Sequence, residues 1–421
     1  MSRSAGINKI IYIVDEKKRD LLPTLSLAKN VQKKKKIDQY IVQFNQIIKL
    51  KKDFLRNSII VVNYFRINIM HHLIYYYILN CKIIINDTEG AGDKDGFFVV
   101  RNIVHLKSFI PILSQYWLWG TNQMNKLPSY LKINGLFLVT GFIRLSKKIF
   151  IYKRNKKNIL INTNFTIINP KYSTGYQEEI KNAKKVSQTI KDDYVKFEAK
   201  KEEIFIKNIK KIILKLPKEN FIIRNHPFEN ENKWKKIFSN YKNVIVRKKG
   251  DVLEEINQAK LLIQNNCTTA VEAYYNQTNV ISFGWLHSKK YDPIFPLAFS
   301  SVEKNVENVV SKIKKNSYTK PRVNKKFLGF YKNLKLNKKD PIDLCVQSIL
   351  STKPNKKNKK FNFLFFIYLI KFFIVKSLFI SAIRVPNLNL KKDKTISIKD
   401  IKKTFPKCKV IEKNFLYCLN G

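Results

Sequence analysis

The sequence predicts an α/β chain made of two successive doubly wound halves with a cleft between them. Three observations predict it. Short runs of β-branched and apolar residues alternate with helical patterns along the first 283 residues, the signature of parallel strands with crossover helices. Polar or glycine-bearing turns follow these runs at their carboxyl ends, where open parallel sheets bind ligands. At 421 residues the chain exceeds one compact core, so two or three domains are expected.

Lys9 to Val14 is a short strand, followed by the polar turn Asp15 to Asp20 and a helix pattern from Leu21. Ser58 to Val62 is the next strand, Tyr64 to Leu79 a helix, and Lys82 to Asn86 a further strand. The loop Asp87-Thr88-Glu89-Gly90-Ala91-Gly92-Asp93-Lys94-Asp95-Gly96 holds three glycines and four carboxylates, so its backbone must turn sharply. Its end resembles part of a calcium-binding loop, but Phe97 and Phe98 occupy the next positions and the closing Glu is missing. Asp87 or Glu89, at a strand's carboxyl end, could act as a general base; the competing reading is a solvated acidic turn. Tyr116 to Trp119 and Leu136 to Thr140 are two more strands, each followed by glycine. The basic stretch 146–158 reads as a linker.

The second half opens with Ile159-Leu160-Ile161 and the turn Asn162-Thr163-Asn164-Phe165. A long polar helical region, Lys181 to Leu214, precedes the segment Phe221 to Phe283, which carries the strongest ligand signal. There Phe221-Ile222-Ile223 leads into Arg224-Asn225-His226-Pro227, and Leu261-Leu262-Ile263 leads into Asn265-Asn266-Cys267-Thr268-Thr269. Thr269 with Glu272, and Asp251 with Glu254, have capping-box spacing. Helix-start amides attract anions, Arg224 offers a planar fork to phosphate or carboxylate, and His226 can donate. The plainer alternative is that Thr269 caps a helix and Pro227 starts one.

Composition narrows the classes. Lys and Arg number 81 against 31 acidic residues, a formal charge of +50. Asn, Ile, Lys, Phe and Tyr are abundant throughout, as an A+T-rich coding sequence produces, and the lysines do not interleave with aromatics as a stacking groove requires, so no nucleic-acid partner is expected. Five scattered cysteines without a CxxC pair fit a reducing cytoplasm rather than a disulfide frame. No metal-ligand spacing occurs among the five histidines, and His71 and His72 lie in an apolar run; neither a metal nor another cofactor is expected. Ile10 to Val14 is too short for a signal-peptide core.

In order along the chain, Trp119-Gly120, Val139-Thr140-Gly141, Ile159-Leu160-Ile161-Asn162-Thr163-Asn164-Phe165, Arg224-Asn225-His226-Pro227 and Asn266-Cys267-Thr268-Thr269-Ala270-Val271-Glu272-Ala273 resemble the surface carbohydrate biosynthesis proteins of bacterial capsule and lipopolysaccharide loci. The resemblance runs from about Ile10 to about Phe283. It implies the GT-B glycosyltransferase fold: a Rossmann-like acceptor domain at 1–145, the linker, a Rossmann-like nucleotide-donor domain at 159–350, and a tail at 351–421. It also implies a nucleotide-sugar donor, a glycan or lipid-linked acceptor, a base at Glu89 or Asp87, and a phosphate site of Arg224, His226, Pro227, Asn266, Thr268, Thr269 and Glu272, with Asn162, Thr163 and Asn164 lining the cleft. Transferases of CMP-activated acidic sugars pair an acidic-acidic-Gly motif with a His-Pro motif; here Thr88 stands where the second carboxylate is expected, which leaves the donor class open. The Arg-x-His-Pro turn also occurs in CDP-polyol-dependent polyol-phosphate transferases, and a GT-B-like scaffold that binds without catalysing is a further alternative. Sugar-nucleotide 2-epimerases share the fold, but their Ser-Gly-Gly turn is absent.

In the tail, 353–360 is basic, and Phe361 to Ile383 is the most apolar segment. Its 23 residues could span a bilayer, yet Lys371 and Lys376 lie near its middle. Sixteen strongly apolar residues contribute roughly −5 to −10 kcal/mol and two central lysines cost about 5 to 7, a near balance. A helix lying on the inner face of the cytoplasmic membrane, its lysines at anionic headgroups, is the expected state; a helix packed on the catalytic domains is the rival.

Overall fold

The structure is a computed structural model that describes residues 9–88, 95–149, 156–171, 188–247, 250–336, 338–353, 363, 366–371, 373–374, 396–412 and 416–419. Both expected α/β halves are present as Rossmann-like units with parallel sheets. In the first sheet the order is β13-β14-β2-β1-β3-β4-β5-β6. Its strands are β1 (Lys9–Val14), β2 (Asp38–Gln43), β3 (Ile59–Val62), β4 (Lys82–Asn86), β5 (Gln115–Leu118), β6 (Phe137–Val139), β13 (Lys409–Glu412) and β14 (Leu416–Cys418). From β2 through β6 every pairing is parallel, and β1, β3 and β4 are runs of Ile and Val covered on both faces, as a parallel sheet demands. Tyr64 to Leu79 is not one helix: a 3-10 turn, Ile67–Ile69, precedes the α-helix Met70–Ile78.

The end of the chain returns to this first unit. β14 pairs antiparallel with β2 and β13 with β14, so the backbone groups on the outer side of β2 are taken up. Residues 328–350 also belong here, although the sequence reading placed them with the second domain. The cause is close backbone approach at the glycine motifs. A Cβ on Gly120 would stand 2.0 Å from the Gly329 carbonyl oxygen, the Asn122 amide donates to that oxygen at 2.9 Å, and Trp119 packs on Phe142 and Tyr331. Gly141, at φ +88°, lets the Phe142 amide reach the Tyr331 carbonyl. The helix Pro341–Leu350 then lies against Lys17–Lys34; Asp340 caps it and accepts from Ser146 Oγ at 2.6 Å, while Trp117 Nε1 donates to Ser348 Oγ at 2.9 Å.

The second unit, within 156–327, is a six-stranded, wholly parallel sheet in the order β12-β11-β10-β7-β8-β9. Its strands are β7 (Asn158–Asn162), β8 (Asn220–Arg224), β9 (Val244–Val246), β10 (Ala259–Gln264), β11 (Asn279–Phe283) and β12 (Ser301–Glu303). The described part of the predicted long helix is Gln188–Lys215, which packs Phe205, Ile209, Ile212 and Ile213 into the core beneath β7 and β8. Residues 181–187 and, within the linker 146–158, residues 150–155 lie outside the described residues.

Replacing Gly120 with Ala should cost roughly 1–3 kcal/mol, the range for overpacking a filled site, because the new methyl meets fixed backbone. Urea unfolding followed by tryptophan fluorescence measures it; a variant as stable as the parent would show that the returning segment is not held at this contact.

Candidate functional site

The candidate site is built from three turns of the second unit that leave β7, β8 and β10, neighbouring strands of one parallel sheet. Each strand ends in a buried polar residue: Asn162, Arg224 and Gln264. Beyond them the turns are stitched together. The Thr163 amide donates to the Arg224 carbonyl at 3.2 Å, Asn164 Nδ2 to the Asn266 carbonyl at 3.0 Å, and Asn162 Nδ2 to Thr269 Oγ1 at 2.9 Å. Asn266 takes up the left-handed backbone at φ +46°, a conformation Asn tolerates better than most residues, and so reverses the chain before the helix Thr269–Tyr275.

A carboxylate that sequence reasoning did not single out holds two of these turns. Glu229 is fully buried; its Oε2 accepts from Thr163 Oγ1 at 2.7 Å and from Trp234 Nε1 at 2.6 Å, and its Oε1 from the Phe165 amide at 2.5 Å. Asn225 Nδ2 donates to the Glu229 carbonyl, and the Glu229 amide to the His226 carbonyl. Burial pushes this carboxyl up to about 7 against the pull of its three donors, with nearby Glu202 adding repulsion. The spacing Pro227-Phe228-Glu229 was the available signal, but nothing in one sequence marks that Glu as inward-facing.

Several expected roles fall differently. Arg224 spends its NH1 on Glu255 Oε2 at 2.9 Å and its NH2 on the Gly250 carbonyl at 2.8 Å, while Arg247 Nε takes the other Glu255 oxygen. Its fork therefore braces the turn from below. The Thr269–Glu272 capping box does not form: Thr268 occupies the cap position without a side-chain bond, and Thr269 Oγ1 donates to Cys267 Sγ at 3.0 Å. Glu272 is buried, and its charge helps burial to raise the Cys267 thiol. Asp251 does cap its helix, through the Leu253 amide. Pro227 and His226 are half-buried; His226 Nδ1 accepts from the Phe228 amide at 3.2 Å, which fixes the neutral tautomer with its proton on Nε2.

Three side-chain atoms in these turns have no hydrogen-bond partner in the chain although their residues are at least 95 % buried: Asn162 Oδ1, Asn225 Oδ1 and Asn265 Nδ2. An unmet buried polar group costs about 1–3 kcal/mol, so these three atoms make the adjoining strand ends a costly, polar part of the unit. Among the described residues no group of three or more His, Cys, Asp and Glu is placed to hold a metal ion.

In the first unit Asp87 is buried, accepting from Tyr116 Oη at 3.0 Å through its carboxylate and from Trp119 Nε1 through its carbonyl. Burial, with the charge of Asp87 and this hydrogen bond, raises the Tyr116 hydroxyl well above its ordinary value. Asp87 is thus committed to the fold. Glu89 lies outside the described residues.

No protein-family model and no curated protein sequence matches the chain. Solved structures do. It is similar to MnaA of S. aureus in complex with UDP (13% identity, 85% of this chain and 100% of that one, TM-score 0.47). It is also similar to the UDP-GlcNAc 2-epimerase of Methanocaldococcus jannaschii in complex with UDP-GlcNAc and UDP (13%, 76% and 97%, TM-score 0.44), and to the wall teichoic acid polymerase TagF (10%, 83% and 89%, TM-score 0.45).

Titration of Glu229 is open to measurement. Its folded value lies above the ordinary 4.5, so its contribution to stability is full below about pH 4.5 and is lost as pH rises through about 7. The Trp234 indole N–H resonance should accordingly shift with a midpoint near 7. A midpoint near 4.5 would mean that the three donors fully offset burial.

Proposed function

We propose that the chain is a glycosyltransferase of cell-surface polysaccharide synthesis that takes a sugar from a nucleotide-activated donor. The observation that carries this reading is the set of adjoining turns after β7, β8 and β10, joined by their own hydrogen bonds and bearing the half-buried His226. Such a surface offers neutral donors and acceptors to a nucleotide and its phosphate, in the place where open parallel sheets bind ligands. Arg224 contributes indirectly, by fixing the turn that bears His226. The resemblance of these same turns, in order, to surface carbohydrate biosynthesis proteins supports the assignment.

In the proposed reaction an acceptor hydroxyl attacks the anomeric carbon. The new O–C bond forms as the bond from that carbon to the phosphate oxygen breaks, and the electron pair leaves on the nucleotide. His226 and the Asn266–Thr269 turn receive the charge that develops on the departing phosphate. The hydroxyl proton goes to Glu89, assigned from its sequence position before Gly90; Asp87, held by Tyr116, shapes the strand end instead.

Melting shifts with CMP, UDP, GDP and CDP-glycerol test the reading and assign the donor, because a ligand at one hundred times its Kd adds about 2.7 kcal/mol to stability. No shift with any of them would overturn it. His226→Ala should weaken binding of the stabilising nucleotide by roughly 1–3 kcal/mol while the protein stays folded. Glu89→Gln should abolish transfer and leave nucleotide affinity unchanged, whereas a binding scaffold would show no transfer in the parent either. Turnover should persist in excess EDTA; loss reversed by magnesium or manganese would assign a metal to the acid loop.

A further inference from the structure

The tail carries an apolar surface that the catalytic reading does not use. Residues 366–371 and 373–374 are helical and sit on the first unit. Tyr368 and Leu369 pack on its core, the Tyr368 ring meets Phe109 edge-on at 5.2 Å, and the Phe373 ring meets Tyr75 at 6.0 Å. Lys371 lies close enough to His71 to join burial in lowering that imidazole to about 4.

Docked in this way, the helix turns its other side to solvent, and that side is apolar. Phe366 is 50% exposed, Ile367 47%, Ile370 45% and Ile374 54%. Their spacing, i, i+1, i+4 and i+8, makes one continuous stripe on a helix. Phe363, also exposed, extends it one turn earlier. A soluble helix shows the reverse pattern, and a stripe of this kind marks an interaction surface.

We propose that this stripe is a docking face for an anionic lipid surface, carried by the first unit. Charge selects the occupant. Between Asp343 and Asp393 there is no acidic residue, while ten Lys and Arg residues occur: Lys353, Lys356, Lys357, Lys359, Lys360, Lys371, Lys376, Arg384, Lys391 and Lys392. A second copy of the chain would bring two such runs together, whereas an anionic bilayer neutralises them as the apolar stripe enters the headgroup boundary. The helix lies in the interface rather than across it, since Tyr368 and Leu369, partly buried, already hold one side of it against protein.

The test uses the full chain and vesicles of phosphatidylcholine with or without phosphatidylglycerol. Co-sedimentation should need the anionic lipid and should fall at high salt and in alkaline carbonate. Replacing Phe366, Ile367 and Ile370 together with Ser, which leaves Tyr368, Leu369 and Phe373 to hold the helix, should reduce partitioning by roughly tenfold or more. Phe366→Trp, a milder change, should show a blue-shifted emission with anionic vesicles. Unchanged sedimentation of the triple variant, carbonate-resistant retention, or an emission insensitive to lipid would each overturn the proposal. So would a concentration-dependent dimer that the triple variant abolishes, which would assign the stripe to a second copy. None of these readouts involves nucleotide, so the lipid face and the transferase reading stand or fall separately.

Discussion

The candidate site depends on one buried carboxylate. Glu229 receives Thr163 Oγ1 and the Phe165 amide from the turn after β7, and Trp234 Nε1 from the helix Glu231–Phe238, while its own backbone joins the turn after β8 through Asn225 and His226. Two turns that are remote in sequence thereby become one surface. A carboxylate that accepts three hydrogen bonds is a strong positional constraint, because each donor is directional and none can be lost without leaving a buried group unmet. A second ionic lock lies behind the first: Glu255 holds Arg224 and Arg247, and Arg224 in turn holds the Gly250 carbonyl.

This rigidity has a use. Unmet polar atoms on Asn162, Asn225 and Asn265 are tolerable only if the turns cannot rearrange to pair them internally, and the Glu229 and Glu255 locks prevent that. With the turns held, a ligand would meet the backbone and the half-buried His226 already in place, so binding would need little reorganisation of the protein. The neutral tautomer of His226 follows the same logic, since the Phe228 amide fixes which ring nitrogen carries the proton before any ligand arrives.

What was legible in the sequence follows from the range of the interactions involved. β1 and β4 have the bounds that their apolar, Ile-rich runs suggest, because burial on both faces favours such a composition in a central parallel strand. The three site turns were legible for the same reason: they begin where those runs end. By contrast, β2 (Asp38–Gln43), with a polar start and a polar end, carries no such run, and it is identified only by its pairing with β1 and β14. Long-range choices were equally hidden. The spacing of Thr269 and Glu272 fits a capping box, but Asn162 and Cys267 compete for the hydroxyl and win. Arg224 read as an anion fork because Glu255, its partner 31 residues later, becomes a neighbour only once the sheet has formed.

The glycine motifs show how much a local signal leaves open. Trp119-Gly120 and Thr140-Gly141 follow strands β5 and β6, where glycine permits a close approach to the backbone. The close approach is to the chain itself: Gly329 crosses over Gly120, and Tyr331 accepts the amide that follows Gly141. Small residues at strand ends report that backbone or ligand comes near, and only the three-dimensional path tells which. The return of the chain has a further consequence, because it brings the segment that ends in the exposed tail stripe onto the first unit. A lipid contact made there would orient that unit at the bilayer through protein packing at Tyr75 and Phe109 instead of through a flexible tether.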